Sequence, residues 1–234
     1  MIFNLTGPVS GSAISAPIIG EDFNWSGGDG TYQVLDDGGS NWRIKFLSSG
    51  TFTPLKDMVI DAFLVGGGGA SAGNYCGYGG AGYTTTVRSV VVAANTAYPI
   101  VVGAAGTQTY TVQSDGGTSS AFSAVANGGH HSVSGDKTWK KTGANGGSGG
   151  GGQYADGGTD GSDGTTGDTA GGKGQGTTTR EFGEADGDLY ASGGGKNLTR
   201  SIPNSGNGGS YYNSTTIAAA DGIVIIRQHK EETT

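Results

Sequence analysis

The chain has 234 residues, 50 of them glycine and 5 proline, with 33% hydrophobic residues, 14% charged residues and a net charge of −7. This excludes a conventional apolar core running throughout, and equally the highly charged composition of a disordered chain. The 13 Lys and Arg are scattered, with Lys137, Lys140 and Lys141 as the one cluster, which argues against a nucleic-acid-binding face.

Cys76 stands alone, so neither an internal disulfide nor a cysteine zinc cluster forms. No apolar run approaches the ~20 residues of a membrane span, and no membrane insertion is expected. Met1-Ile2-Phe3-Asn4-Leu5 lacks the basic start and long apolar stretch of a secretory signal.

Residues 1–40 read as a leader or attachment segment, apart from a domain over 41–234. Turn signals such as Gly7-Pro8, Gly27-Gly28 and Asp29-Gly30 dominate it, with short strand-like runs such as residues 32–35. Trp42-Arg43-Ile44-Lys45-Phe46 alternates apolar and basic, the period-2 pattern of a half-buried strand. Thr51-Phe52-Thr53 is a short strand stopped by Pro54. Residues 58–65 form a strong strand running into Gly66-Gly67-Gly68-Gly69. Residues 83–92, rich in Thr and Val, then 97–102, 109–113 and 120–125 are further strands, and residues 223–226 make a closing one. No stretch shows a 3.6-residue period with caps. The predicted fold class is all-β, an antiparallel sheet or sandwich scaffold with little or no α-helix.

Between residues 143 and 209 aliphatic residues nearly vanish and a different period takes over. Gly143, Gly146, Gly149, Gly152, Ala155, Gly158, Gly161, Gly164, Gly167 and Ala170 fall every third residue. That is the period of a polyglycine type II helix, which has three residues per turn and no internal hydrogen bonds. Its N–H and C=O groups must find partners on neighbouring rods. One rod of these 28 residues would span ~87 Å at ~3.1 Å per residue. A compact chain of this size has a diameter near ~45 Å. The segment is therefore expected to fold back as several short rods, with turns near Asp156-Gly157 and beyond Ala170. Collagen also has period three but uses proline richly, and no proline occurs between Pro99 and Pro203.

Motifs for chemistry fail on inspection. Gly67, Gly69 and Ala72 fit a dinucleotide fingerprint, but a helix breaker's sequence follows and no acid occurs between Asp61 and Asp115. Asp156, Asp160, Asp163 and Asp168 match neither the glycine-rich calcium repeat nor an EF-hand, and read as solvated side chains. No nucleophile elbow or phosphate loop is present. No enzyme activity, cofactor or metal is expected.

The aromatic residues are more informative. Trp139, Tyr154, Phe182, Tyr190, Tyr211 and Tyr212 sit among Gly, Thr, Ser and Asp with few apolar neighbours. Such rings either form binding platforms, as in adaptable paratopes, or close the ends of the glycine bundle as small local cores. With His130 and His131 they are the candidate binding residues, in loops over 130–141 and 182–190.

The order of blocks resembles a known family. Ser49-Gly50-Thr51-Phe52-Thr53-Pro54 followed by residues 60–69 is similar to the opening of the glycine-rich domain of phage and prophage tail proteins. Gly79-Gly80-Ala81-Gly82-Tyr83 with residues 98–106, residues 117–122 with 126–129, and residues 206–209 with 221–227 resemble its later blocks, in order. The resemblance covers about Ser48 to Arg227 and leaves out residues 1–39. It implies a non-enzymatic tail-fibre or tail-tip protein on a virion tail or prophage-derived particle, made in the bacterial host cytoplasm. It implies as partners a bacterial cell-surface receptor such as a glycan, other tail proteins, and two further copies in a homotrimer. The alternatives are a purely structural tail component, or a bacterial surface or ice-binding protein.

Overall fold

A computed structural model describes residues 16–38, 41–72, 77–108, 113–132, 142–152, 158, 179–195, 202–212 and 215–230. It is all-β, with antiparallel strand pairing throughout its sheets. Helical geometry among the described residues is limited to 3-10 conformation at Thr179 and over Glu181–Gly183.

The first strands are β1 (Phe23–Trp25), β2 (Tyr32–Gly38), β3 (Asn41–Phe46), β4 (Gly50–Pro54), β5 (Met58–Val65) and β6 (Thr84–Val92). They are followed by β7 (Tyr98–Ile100), β8 (Ser119–Ala121), β9 (Ala124–Ala126), β10 (Ser210–Tyr212), β11 (Thr215–Ile217) and β12 (Ile223–Gln228). The main sheet runs β2-β3-β12-β5-β6, so the last strand enters the middle, between β3 and β5. The second layer is β1-β4-β7, extended by a bridge from Val101 to Ser120 of the β8–β9 hairpin.

The core lies between these layers. Trp42, Ile44 and Phe46 of β3, Ile60, Ala62 and Leu64 of β5, and Val224 and Ile226 of β12 supply one side, at alternate positions as a pleated strand requires. Phe23, Phe52 and Ile100 supply the other. The Phe52 ring sits 5.7 Å from both Phe23 and Phe46, within the usual range for paired rings. Burying each such ring contributes about 1.5–3 kcal/mol.

β5 and β12 are also buried on their other face, where Phe63, Val65, Ile223 and Ile225 meet Phe182, Tyr190 and Ala191. Their continuous apolar runs reflect cover on both sides.

Residues 16–38 join the sandwich: β1 pairs with β4, β2 pairs with β3, and Phe23 is fully buried. Two points differ from the strand expectations. Residues 120–125 are not one strand but parts of a hairpin. Phe122 and Ser123 turn at φ 50° and 63°, which brings the Phe122 ring within 5.5 Å of Tyr98. The β10–β11 hairpin was not foreseen. Of the strand expected at 109–113, residues 109–112 lie outside the described set, and Gln113 bridges Gln108.

Beyond the Val65 end of β5 the chain leaves the sheet and glycine-rich segments bond side by side. Along 66–70 the successive N–H groups change partner with period three. Gly66 and Gly69 donate to Tyr83 and Gly80, Gly67 and Ala70 to Gly117 and Ser114, and Gly68 to Ala220. Segment 78–83 repeats this. Tyr78 and Ala81 donate to Gly151 and Ser148, Gly79 and Gly82 to Gly209 and Gly206, and Gly80 and Tyr83 to His130 and Asn127. Its carbonyls accept from Gly66, Gly69, Ala144, Gly147 and Gly194. Segment 78–83 thus runs through the middle of the bundle, bonded on every side.

Glycine is required there by close approach. A Cβ on Gly80 would stand 2.0 Å from the Asn145 carbonyl oxygen, and one on Gly82 2.0 Å from that of Gly66. Within the period-three segment, Gly143, Gly146, Gly149 and Gly152 are buried in the bundle. The chain reverses there at a bend over residues 146–148, so that segments 144–147 and 148–151 flank residues 78–81 in opposite directions. Gly158 donates to Gly150. Gly161, Gly164 and Gly167, and the turns expected at Asp156-Gly157 and beyond Ala170, lie outside the described residues.

Candidate functional site

The bundle has two unlike ends, fixed by hydrogen-bond register. At the sheet end Gly66 lies beside Tyr83, Gly222 beside Val65, and Asn127 next to Tyr83. At the opposite end the rods run out together. The Ala72 amide donates to Ser132 Oγ at 2.8 Å, Ser132 N to the Ala70 carbonyl at 2.9 Å, and Thr107 N to Ser114 Oγ at 2.9 Å. Gly77 meets Thr142, and Gln108 meets Gln113. Ala72, Gly77, Gln108, Gln113, Ser132 and Thr142 therefore lie together at the far end. The β10–β11 hairpin belongs there as well, since Gly209, just before it, donates to Gly69.

His130 and His131 stand at this end on an acid that sequence reading missed. The Asp115 carboxylate meets His131 Nδ1 at 2.6 Å and His130 Nδ1 at 3.0 Å, and accepts from the His131 amide at 2.8 Å. Burial pushes the Asp115 carboxyl up, but the hydrogen bonds from the His131 amide and the two rings outweigh it and hold it below the ordinary carboxylate range. The two imidazole side chains remain 56% and 38% exposed. With Nδ1 engaged by Asp115, their Nε2 edges are the groups a hydroxyl-bearing ligand would meet. Asp115 sits in a glycine-rich stretch with no charged neighbour, so nothing in the sequence marked it. Tyr211 is half-buried opposite Thr216 in the hairpin. Tyr212 pairs its backbone with Thr215, and its side chain lies outside the described set, as do Trp139 and Tyr154.

Phe182 and Tyr190 are corrected: they are not exposed rings. Phe182 is buried against Phe63, 6.1 Å between centroids, with the Arg227 guanidinium 4.1 Å over its face. Tyr190 is buried 5.6 Å from Phe63, and its hydroxyl meets Lys45 Nζ at 3.0 Å. Burial raises the Tyr190 phenol above its ordinary range. The physical reason is the second apolar face of β5 and β12, which needs a cover, and the segment 179–191 supplies it. Ion pairs fasten that cover. Arg43 Nη1 lies 2.7 Å from the buried Glu181, and Arg227 Nη1 2.7 Å from Glu184. A cleft of about 280 Å³ beside it is lined by Arg43, Glu181, Glu184 and Arg227 among others.

A family model described as a glycine-rich domain matches residues 47–229. The chain belongs to this glycine-rich domain family. A search of curated proteins finds no match. The glycine-rich domain match begins at Leu47, directly after β3. The strands β1–β3 therefore precede the matched region and nonetheless complete both sheets.

Among the described residues no group of three or more His, Cys, Asp or Glu side chains is placed to hold a metal. No helix among them is long and apolar enough to cross a membrane.

Proposed function

We propose that this protein is a receptor-recognising component of a phage or prophage tail, a fibre or tail-tip protein that binds a glycan on the bacterial surface. One observation carries the reading: Ala72, Gly77, Gln108, Gln113, Ser132 and Thr142 gather at one end of the bundle, opposite the sandwich. Rigid elements that present several loops on one face are how binding surfaces are commonly built. Ala16 packs on the sandwich core, and Lys230 follows the β12 end that pairs with Ile60, away from the rods. Attachment to other tail proteins at that base, and recognition at the far end, follow naturally. A homotrimer on the virion tail is the assembly proposed by analogy with tail proteins.

We infer also that the glycine-rich rods are polyglycine type II helices. Partner exchange every third residue supports this, because three residues per turn aims N–H groups at three neighbours in rotation.

The test is adsorption of the purified protein to host cells and to a glycan array. Replacing residues 133–141 by a Gly/Ser stretch, or substituting His131→Ala and Tyr211→Ala, is expected to abolish or reduce binding with the melting temperature unchanged. Unchanged adsorption in all these variants would overturn the receptor reading and favour a purely structural tail component.

A further inference from the structure

The base of the sandwich carries a side-chain relay that the receptor reading does not use. Asp61 of β5 is fully buried and faces away from the main core, on the same face of the sheet as Arg227 of the adjoining strand β12. Its Oδ1 lies 2.6 Å from His229 Nδ1, and His229 Nε2 lies 3.1 Å from Ser89 Oγ. A carboxylate only accepts, so Nδ1 carries the proton it offers, and in the neutral ring Nε2 is left to accept from the serine hydroxyl. Asp61 is held as a carboxylate. Burial pushes it up, and the hydrogen bonds from His229, the Ser89 amide and Arg227 more than reverse that.

The backbone around Ser89 is built to present it. β6 carries a bulge here. Ile60 pairs with Val90 and Ala62 with Val87, so Asp61 faces two residues, Arg88 and Ser89. Ser89 sits at φ 55°, a conformation costly for a residue with a Cβ, and its amide donates to Asp61 Oδ1 at 3.1 Å. Bulges re-aim side chains at sheet edges, and strained residues of this kind cluster at functional sites. Ser89 is exposed while Asp61 is sealed. The three residues come from distant parts of the chain, and their order of roles is nucleophile, base and orienter.

We propose that Ser89 is an activated nucleophile that takes the acyl group from small carboxylic esters, with His229 as its general base and Asp61 as a positioning residue. Ser89 Oγ bonds to the ester carbonyl carbon as its proton passes to His229 Nε2. The carbon–oxygen bond to the alcohol breaks, and the departing oxygen takes that proton. Water then repeats the sequence on the acyl-serine, releasing the acid and restoring the hydroxyl. This goes beyond receptor binding and is located at the other end of the molecule.

The experiment uses the full chain with a fluorophosphonate probe, adduct mapping by mass spectrometry, and p-nitrophenyl acetate hydrolysis. Expected are one adduct, on Ser89, and an acyl burst. Ser89→Gly removes the hydroxyl and suits the positive φ, so it folds, and both signals should vanish. His229→Gln should slow labelling by about a hundredfold or more. Adsorption to host cells should be unchanged by Ser89→Gly, which separates this proposal from the receptor reading. No adduct on Ser89, or equal labelling rates with and without His229, overturns it.

Discussion

Gly80→Ala is the sharpest probe of the bundle. The new methyl would lie 2.0 Å from the Asn145 carbonyl oxygen, more than 1 Å inside ordinary contact. Gly80 cannot retreat freely, because its N–H donates to His130 at 3.0 Å and its carbonyl accepts from Gly69 at 2.8 Å. Overpacking alone costs ~1–3 kcal/mol. Each buried hydrogen bond lost adds about 1–3 kcal/mol. Reduced freedom of the unfolded chain returns only ~0.4–1 kcal/mol. With both bonds lost the net expectation is a loss of about 2–9 kcal/mol, a large part of a typical ~5–15 kcal/mol stability. Urea unfolding followed by tryptophan fluorescence measures it. Gly30→Ala is the control: φ is +75° with open space around, so only the backbone penalty of ~1–2 kcal/mol applies. Equal effects of the two substitutions would refute the close packing of the rods.

Hydrogen exchange should protect the amides of Gly67, Gly69, Gly80 and Gly82 as strongly as those of β5, whereas a linker would exchange within the dead time. Phe182→Ala should cost about 3–5 kcal/mol in unfolding experiments while leaving receptor adsorption of the folded fraction intact. Asp61→Asn should cost about 3 kcal/mol, since it strips a buried partner from Arg227. The Asp61 carboxyl is depressed in the folded state, so its stabilisation is complete above the unfolded value of about 4 and drains as pH falls below it toward the folded value. Melting curves between pH 7 and 2 should therefore show a smaller acid loss in Asp61→Asn than in the parent protein.

The strands were legible where side chains alternate or run apolar: Trp42, Ile44 and Phe46 announced β3, and residues 58–65 announced β5. The column of small residues Gly143, Gly146, Gly149 and Gly152 was legible too, and all four are buried among the neighbouring segments. Its folding back was deduced from length, but the bend falls at residues 146–148, where glycine on both sides of the turn hides the reversal. The burial of Phe182 and Tyr190 was written elsewhere in the chain. Ile223 and Ile225, alternating with Val224 and Ile226, demand a cover on the second face, and the nearest polar surroundings of the two rings said nothing of it. The Asp115 cluster and the Asp61, His229 and Ser89 relay join residues that only the tertiary register brings together.

The threefold rotation of hydrogen-bond partners also sets a rule for variation over time. On the inferred polyglycine type II geometry, adding three residues to a rod adds one turn, and every later N–H still faces its old neighbour. Adding one or two turns the remainder by a third or two thirds of a revolution, carrying glycines away from the carbonyls they must accommodate and larger residues onto them. Surviving length changes within the rods should come in multiples of three, while the exits at the far end accept any number. Such a scaffold lets its outer loops diversify freely and holds its own dimensions to discrete steps.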